Sequence, residues 1–323
     1  MSEQQNAGGR ERPRDVADLQ FVGADFARPE CVLTTAAGEI FASDRRGGIR
    51  RLGPDGESLI GQSDITPNGF AMLRDRSFLV ANLADPGGVW KIDRDGSVRP
   101  HLTEIEGVRL PGVNFVMLDH QDRLWISVST MNPEVGQYSQ ASRDGFLAVQ
   151  DSKGVRIVAG DLCWTNECRV SNDGSHLYVN ETFARRLTRF PIKADGSLGP
   201  RETATEFGAG VFPDGLAFDA AGCAWVVSVG ANRIIRVEAD GTQTTVIDDG
   251  DPATVEELES LHNRNALTRT KLSQARGTRL VNTSSIAFGG ADLRTAYLGS
   301  LGLSSIATFK VSVPGVPPPH WTW

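Results

Sequence analysis

Short apolar runs alternate along the chain with turns rich in Gly, Asp and Asn, and the whole pattern repeats. Six stretches line up: PECVLTTAAGEIFASD (29–44), PNGFAMLRDRSFLVAN (67–82), VNFVMLDHQDRLWISV (113–128), TNECRVSNDGSHLYVN (165–180), PDGLAFDAAGCAWVVS (213–228) and SSIAFGGADLRTAYLGS (284–300). Each reads as a loop residue, an apolar strand, a turn whose residues tolerate hairpin geometry, and a second apolar strand. A further strand-like piece ending at Asp-Gly follows in IRRLGPDG, VWKIDRDG, LTRFPIKADG and IIRVEADG. Asp-Gly between alternating apolar residues is a strong hairpin signal. The unit is therefore a sheet of about four strands, recurring at intervals of 38–71 residues. Radial repetition of such sheets predicts an all-β fold, a six-bladed β-propeller, in which only short, protected strand edges remain. A two-sheet sandwich gives no reason for a polar residue to head every unit.

The first five stretches align without gaps, and their second residues are Glu30, Asn68, Asn114, Asn166 and Asp214, with Ser285 taken as the counterpart in the sixth. In a propeller, the residue just before each innermost strand lies at one mouth of the central channel, so these positions converge. Carboxylates and amides without histidine or thiolate form an all-oxygen cluster, which suits Ca²⁺ or Mg²⁺ rather than zinc or copper. Ca²⁺ accepts the irregular, long-bonded coordination that side chains from separate blades provide. The expected cofactor is one central divalent cation, Ca²⁺ first, with Mg²⁺, Mn²⁺ or Zn²⁺ as substitutes.

A chain of 323 residues would by length alone suggest about two domains. The repeat instead predicts one propeller domain over residues 20–312, a polar lead-in over 1–19 and a Pro-rich tail over 313–323. The net charge of −7 and the lack of a basic stripe exclude a nucleic-acid partner. No apolar run reaches the roughly 20 residues of a membrane helix. MSEQQNAGGRERPRDVADLQ has no apolar core of a secretory signal, so the expectation is a cytoplasmic protein with Cys31, Cys163, Cys168 and Cys223 as reduced, non-catalytic thiols. The five histidines are scattered, with no H-E-x-x-H and no G-x-S-x-G elbow. Trp90, Trp125 and Trp225 fall on strands and read as core between blades.

At VFPDGLAFDAAGCAWVV, TNECRVSNDGSHLYVNET and TSSIAFGGADLRTAYLGS the chain resembles the SMP-30/gluconolactonase/luciferin-regenerating-enzyme-like family of six-bladed propellers, over roughly residues 20–312. That family includes sugar lactonases, lactonases of broader specificity and a squid-type phosphotriesterase. The resemblance implies a catalytic Ca²⁺ held by Glu30, Asn166 and Asp214, with Asn114 in the place of an Asn that binds metal or substrate. It implies hydrolysis of a small-molecule lactone by metal-activated water, with Asp214 accepting the proton and Asn114 orienting the substrate. Asn68, Phe115, Glu167 and Ser285 are the further substrate-binding candidates. Phe115 and Gly112 stand where sugar-lactone relatives carry Asp and Arg, Glu167 stands for the usual Gly, and Cys31 follows the first-blade Glu. These departures point to a substrate less polar than a sugar lactone. The alternatives are phosphotriester hydrolysis on the same site, a non-catalytic calcium-binding interaction propeller, and a metal-free enzyme of the strictosidine synthase type, which the acids at the ligand positions disfavour.

Two insertions interrupt the repeat, at 129–145 and 248–277. The second has helical spacing in VEELESLHNRNALTR (255–269). Either insertion is open to three readings, a lid over the channel mouth, an oligomer contact or a solvated excursion, with 248–277 the candidate surface for a homo-oligomer.

Overall fold

The structure, a computed structural model, describes residues 11–132 and 139–323. These residues form six four-stranded sheets and one two-stranded hairpin. Blades 1 to 5 run from the channel outward in chain order. Blade 1 is Val32–Thr34, Ile40–Asp44, Gly48–Gly53 and Gly56–Ile60, and blade 2 is Pro67–Met72, Phe78–Asn82, Val89–Ile92 and Val98–Leu102. Blade 3 is Phe115–Leu118, Leu124–Val128, Gly145–Asp151 and Gly154–Leu162. Blade 4 is Thr165–Val170, His176–Glu181, Arg186–Pro191 and Glu202–Glu206, and blade 5 is Val211–Phe218, Ala224–Gly230, Arg233–Val237 and Gln243–Asp248. Blade 6 takes three strands from one end of the chain, Thr283–Gly289, Thr295–Ser300 and Ile306–Lys310, and its outermost from the other, Gln20–Val22. The pairing Phe21↔Ala307 closes the ring.

Burial explains the sequence pattern of each strand. Both innermost strands of blade 5 are buried at every residue, because neighbouring blades cover both faces. Apart from Asp214 and Ser228, these strands are apolar rather than alternating. The outer strands Gly56–Ile60 and Val98–Leu102 face solvent and carry polar residues. Trp125 and Trp225 are fully buried between blades, as expected. Each is fastened by an aspartate from the preceding hairpin. Asp219 accepts from Trp225 Nε1 at 2.9 Å and from Arg236 Nε at 2.7 Å, and Asp119 accepts from Trp125 Nε1 at 2.8 Å and Arg123 Nε at 2.6 Å. All four cysteines are free and buried, and burial pushes the Cys163 and Cys168 thiols up to about 12.

The 248–277 insertion is helical but in two pieces. The first helix is Pro252–Asn263, capped by Asp251 and started by Pro252, and the second is Arg269–Gln274. Asn265 adopts a left-handed φ of 52° between them, a conformation Asn tolerates, which breaks the single helix the spacing predicts. Leu258, Leu267 and Leu272 pack on Phe212 and Val229 of blade 5. Part of the 129–145 insertion lies outside the described residues.

The Pro-rich tail folds under the far end of the channel. Ala220 N donates to Pro314 O at 2.8 Å and Ala36 N to Trp321 O at 2.8 Å. His320 is buried there, its pKa driven down to about 3 by burial first and then by the Arg169 charge.

Two stability measurements check these assignments. Asp219→Ala strands a buried guanidinium and an indole N–H, and should lower unfolding free energy by about 3–5 kcal/mol, whereas Glu257→Ala, in an exposed pair with Lys271, should change it by less than about 1 kcal/mol. Equal effects in denaturant titrations would contradict the buried network. His320 has a depressed folded-state pKa, so the unfolded chain binds the extra proton. Its contribution is whole above the ordinary histidine pKa near 6.5 and drains away as pH falls toward about 3. His320→Gln should therefore flatten the pH dependence of the melting temperature between those limits, and an unchanged slope would refute the burial of a neutral imidazole.

Candidate functional site

A register shift at the head of the innermost strand lifts Asn68, Asn166 and Asp214 out of the ladder, whereas the ladders that begin after Glu30 and Asn114 carry no shift. In blade 5 the pairing jumps from Pro213↔Ser228 to Leu216↔Val226, leaving Asp214 and Gly215 in a bulge. The same shift occurs across Asn68–Gly69 and across Asn166–Glu167. Bulges re-aim side chains beside functional sites in this way. The neighbours of the bulge leave little room: a Cβ on Gly215 would meet Ser285 Cα at 2.5 Å, and one on Gly69 would meet Phe115 Cα at 2.8 Å. Asn180 Nδ2 ties the bulge down by donating to Asp214 O at 3.0 Å and Gly215 O at 3.1 Å.

Glu30, Asn68, Asn114, Asn166 and Asp214 all line one cavity of about 720 Å³ at this mouth. Asn68 is fully engaged: its Nδ2 donates to Glu30 Oε1 and Asn114 O, both at 2.8 Å, and its Oδ1 accepts from Arg28 Nη2 at 2.9 Å. Asn166 Nδ2 donates to Thr182 Oγ1 at 3.1 Å, which turns the opposite face of the amide away from Thr182. Four buried oxygens are left without a hydrogen-bond partner: Glu30 Oε2, Asn114 Oδ1, Asn166 Oδ1 and Asp214 Oδ1. Stranding buried acceptors is expensive, at roughly 1–3 kcal/mol each. Burial pushes the Glu30 carboxyl up to about 8, with Glu167 adding to the rise and Arg28 and Asn68 opposing it. Asp214 is pushed well up by burial and then by the Glu30 and Glu167 charges. A hard cation would satisfy all of these groups at once, giving the oxygens a partner and the carboxylates a counter-charge. Among the described residues no three His, Cys, Asp or Glu side chains form a metal cluster, so a cation here depends on the two amide oxygens of Asn114 and Asn166.

Three expected substrate contacts lie elsewhere. Phe115 is buried inside the channel beneath the Arg169 guanidinium, 4.5 Å from the ring centroid, and lines a separate cavity of about 190 Å³ against the tail. It starts the strand after the head position, so its side chain points along the channel rather than out of the mouth. Glu167 is likewise below the mouth, paired with Arg169 at 3.0 Å and accepting from Leu216 N at 3.1 Å. In blade 6 the register shift falls on Ser284, between Thr283↔Ser300 and Ser285↔Gly299. Ser284, one residue earlier than expected, is therefore the counterpart of Asp214. Its Oγ donates to Glu30 O at 2.8 Å, and neither serine lines the mouth cavity. Sequence reasoning missed Arg28, Arg45 and Arg269, which also line the cavity. The Arg two places before Glu30 was the available signal.

Residues 29–254 match the SMP-30/Gluconolactonase/LRE-like region. The chain belongs to this family. It is similar to a 6-deoxy-6-sulfogluconolactonase of Pseudomonas putida, at 28% identity over 72% of this chain and 67% of that one. Its fold is that of regucalcin, a calcium-binding protein of Agrobacterium tumefaciens, with a TM-score of 0.69 at 18% identity, covering 94% of this chain and 98% of the other. A gluconolactonase of Xanthomonas campestris gives a TM-score of 0.67 at 17% identity, over 95% and 98% of the two chains. The family match spans blades 1 to 5 and with them all four unpartnered oxygens. No helix among the described residues is long and apolar enough to cross a membrane.

Calcium at about 100 times its dissociation constant should stabilise the protein by about 2.7 kcal/mol. Glu30→Gln should remove most of that gain, while in chelator it should match or exceed the wild type, since it relieves a buried carboxyl. Thermal melts with and without Ca²⁺ check this, and an undiminished calcium shift in Glu30→Gln would rule out Glu30 as a ligand.

Proposed function

We propose that this chain is a divalent-metal-dependent hydrolase of lactones, working at the mouth cavity with Ca²⁺ as the preferred ion. The observation that carries the reading is the set of four unpartnered buried oxygens from four different blades, at the positions heading the innermost strands. The family's lactonase members supply the reaction class.

Glu30, Asn114, Asn166 and Asp214 would hold the ion. When bound, it supplies Lewis acidity to the ring carbonyl and keeps the neighbouring carboxylates ionised. Asp214 accepts a proton from the attacking water as the new C–O bond forms, and returns it to the ring oxygen as the ring C–O bond breaks, leaving a hydroxy acid. Asn114 orients the carbonyl through its amide. Asn68, Thr182 and Asn180 act through these groups as positioning residues, each fixing one oxygen or backbone segment of the cluster. The cavity lining also includes the apolar side chains of Leu83, Trp164, Phe183, Val229, Leu272 and Leu301. These side chains, rather than Phe115, support a ring less hydroxylated than a sugar lactone, because each hydroxyl buried against aliphatic carbon loses water without a new partner.

The calcium-loaded protein should open a δ-lactone, lose turnover in chelator and regain it on adding Ca²⁺. Asp214→Asn should lower kcat by at least about 10²-fold. A panel of alkyl, sugar and aromatic lactones with no turnover by the loaded protein would sink the reading, and hydrolysis confined to phosphotriesters would replace it.

A further inference from the structure

The charged side chains around the mouth cavity do not balance. Its lining carries two carboxylates, Glu30 and Asp214, against three guanidinium groups, Arg28, Arg45 and Arg269. The arginines come from separate places: the loop entering blade 1, the turn after its second strand, and the start of the helix Arg269–Gln274. Arg28 is committed, donating to Pro67 O at 3.4 Å and Asn68 Oδ1 at 2.9 Å. Arg45 and Arg269 are exposed, and neither guanidinium has an ion-pair or hydrogen-bond partner among the described residues. Both lie near enough to Arg28 to oppose its charge.

Like charges gathered on one volume repel, and the repulsion grows where protein walls displace water. Glu30 and Asp214 offset part of the Arg28 charge, neither forms an ion pair with Arg45 or Arg269 among the described residues, and a bound divalent cation adds positive charge. The mouth is thus a local inversion of a chain whose net charge is −7. Such a focused field attracts anions and repels cations. Guanidinium forks match the planar or tetrahedral oxygens of an oxyanion better than a point charge does.

We propose that the substrate carries a permanently anionic substituent, an oxyanion such as sulfonate, phosphate or carboxylate, which Arg45 and Arg269 bind at the mouth while the ring to be opened lies over Glu30 and Asp214. The assignment of the ring rests on the lactonase reading above; the anion site does not. The insertion 248–277 then has a purpose in recognition, because it delivers Arg269 to a cavity that the blades alone leave open on that side. The apolar and the charged lining residues are compatible: the apolar side chains take the ring carbons and the arginines take the charge.

The test uses the full calcium-loaded chain and two δ-valerolactones that differ only in charge, bearing sulfomethyl or hydroxymethyl on the carbon next to the ring oxygen. The sulfonate should be preferred by at least about tenfold in kcat/KM, mostly through KM, with the preference shrinking as ionic strength rises. The double variant Arg45→Gln/Arg269→Gln should lose the preference, and Arg45→Lys/Arg269→Lys should recover part of it. Calorimetric titration with the two hydroxy-acid products reads the same site without turnover. The sulfonated product should bind at least about tenfold tighter to wild type, and the double glutamine variant should close that gap. A tenfold product gap in a protein that opens no lactone would overturn the lactonase reading and leave the anion site standing. Equal kcat/KM for both lactones, equal product affinities, or a gap that survives in Arg45→Gln/Arg269→Gln would overturn the anion site.

Discussion

Close approach of the innermost strands at the axis is the constraint on which the rest of the structure depends. Where blades meet near the axis, some positions leave no space for a side chain: a Cβ on Gly299, in the second strand of blade 6, would sit 2.2 Å from Glu30 O, and one on Gly215, in the innermost strand of blade 5, would sit 2.5 Å from Ser285 Cα. Glycine is required at these contacts, and in blades 2, 4 and 5 a bulge places the polar residue at the mouth cavity. Ring closure and site assembly are therefore the same geometric event. The pairing of Gln20–Val22 with Ile306–Lys310 fixes the ring and so fixes the distances among side chains from blades far apart in sequence.

That assembly places charge where desolvation is severe. Glu30 and Asp214 are both almost wholly buried, and no cationic side chain pairs with either carboxylate within salt-bridge distance among the described residues. The fold treats its structural acids differently. Asp219 and Asp119 are just as buried, yet each receives an arginine and an indole N–H. The contrast separates acids paired with an arginine and an indole from two equally buried acids that lack both, and it lies in hydrogen-bond partners rather than in burial. The arginines at the mouth complete the picture, since they face the cavity rather than the carboxylates.

The propeller was legible because its signal is periodic: the same strand–turn–strand unit recurs, and a propeller needs no information beyond the unit and its number. The head positions were legible for the same reason, and Glu30, Asn68, Asn114, Asn166 and Asp214 do converge. What failed was anything requiring register within a single residue. Ser285 is one place off because the sixth stretch departs from gapless alignment, and Phe115 and Glu167 follow a head residue in sequence but point down the channel. Neighbours along a strand face opposite sides, so adjacency to a ligand is weak evidence of contact. Arg45 and Arg269 were invisible because they lie outside the repeat, in a turn and an insertion whose placement only the folded chain reveals.

The most direct test of the account is a crystal structure of the calcium-soaked protein with anomalous scattering to locate the ion. The account predicts one calcium at the channel mouth, bonded to Glu30 Oε2, Asn114 Oδ1, Asn166 Oδ1 and Asp214 Oδ1 at about 2.3–2.6 Å. A mouth that stays free of metal at saturating calcium, with those oxygens bound by water or by one another, would contradict it.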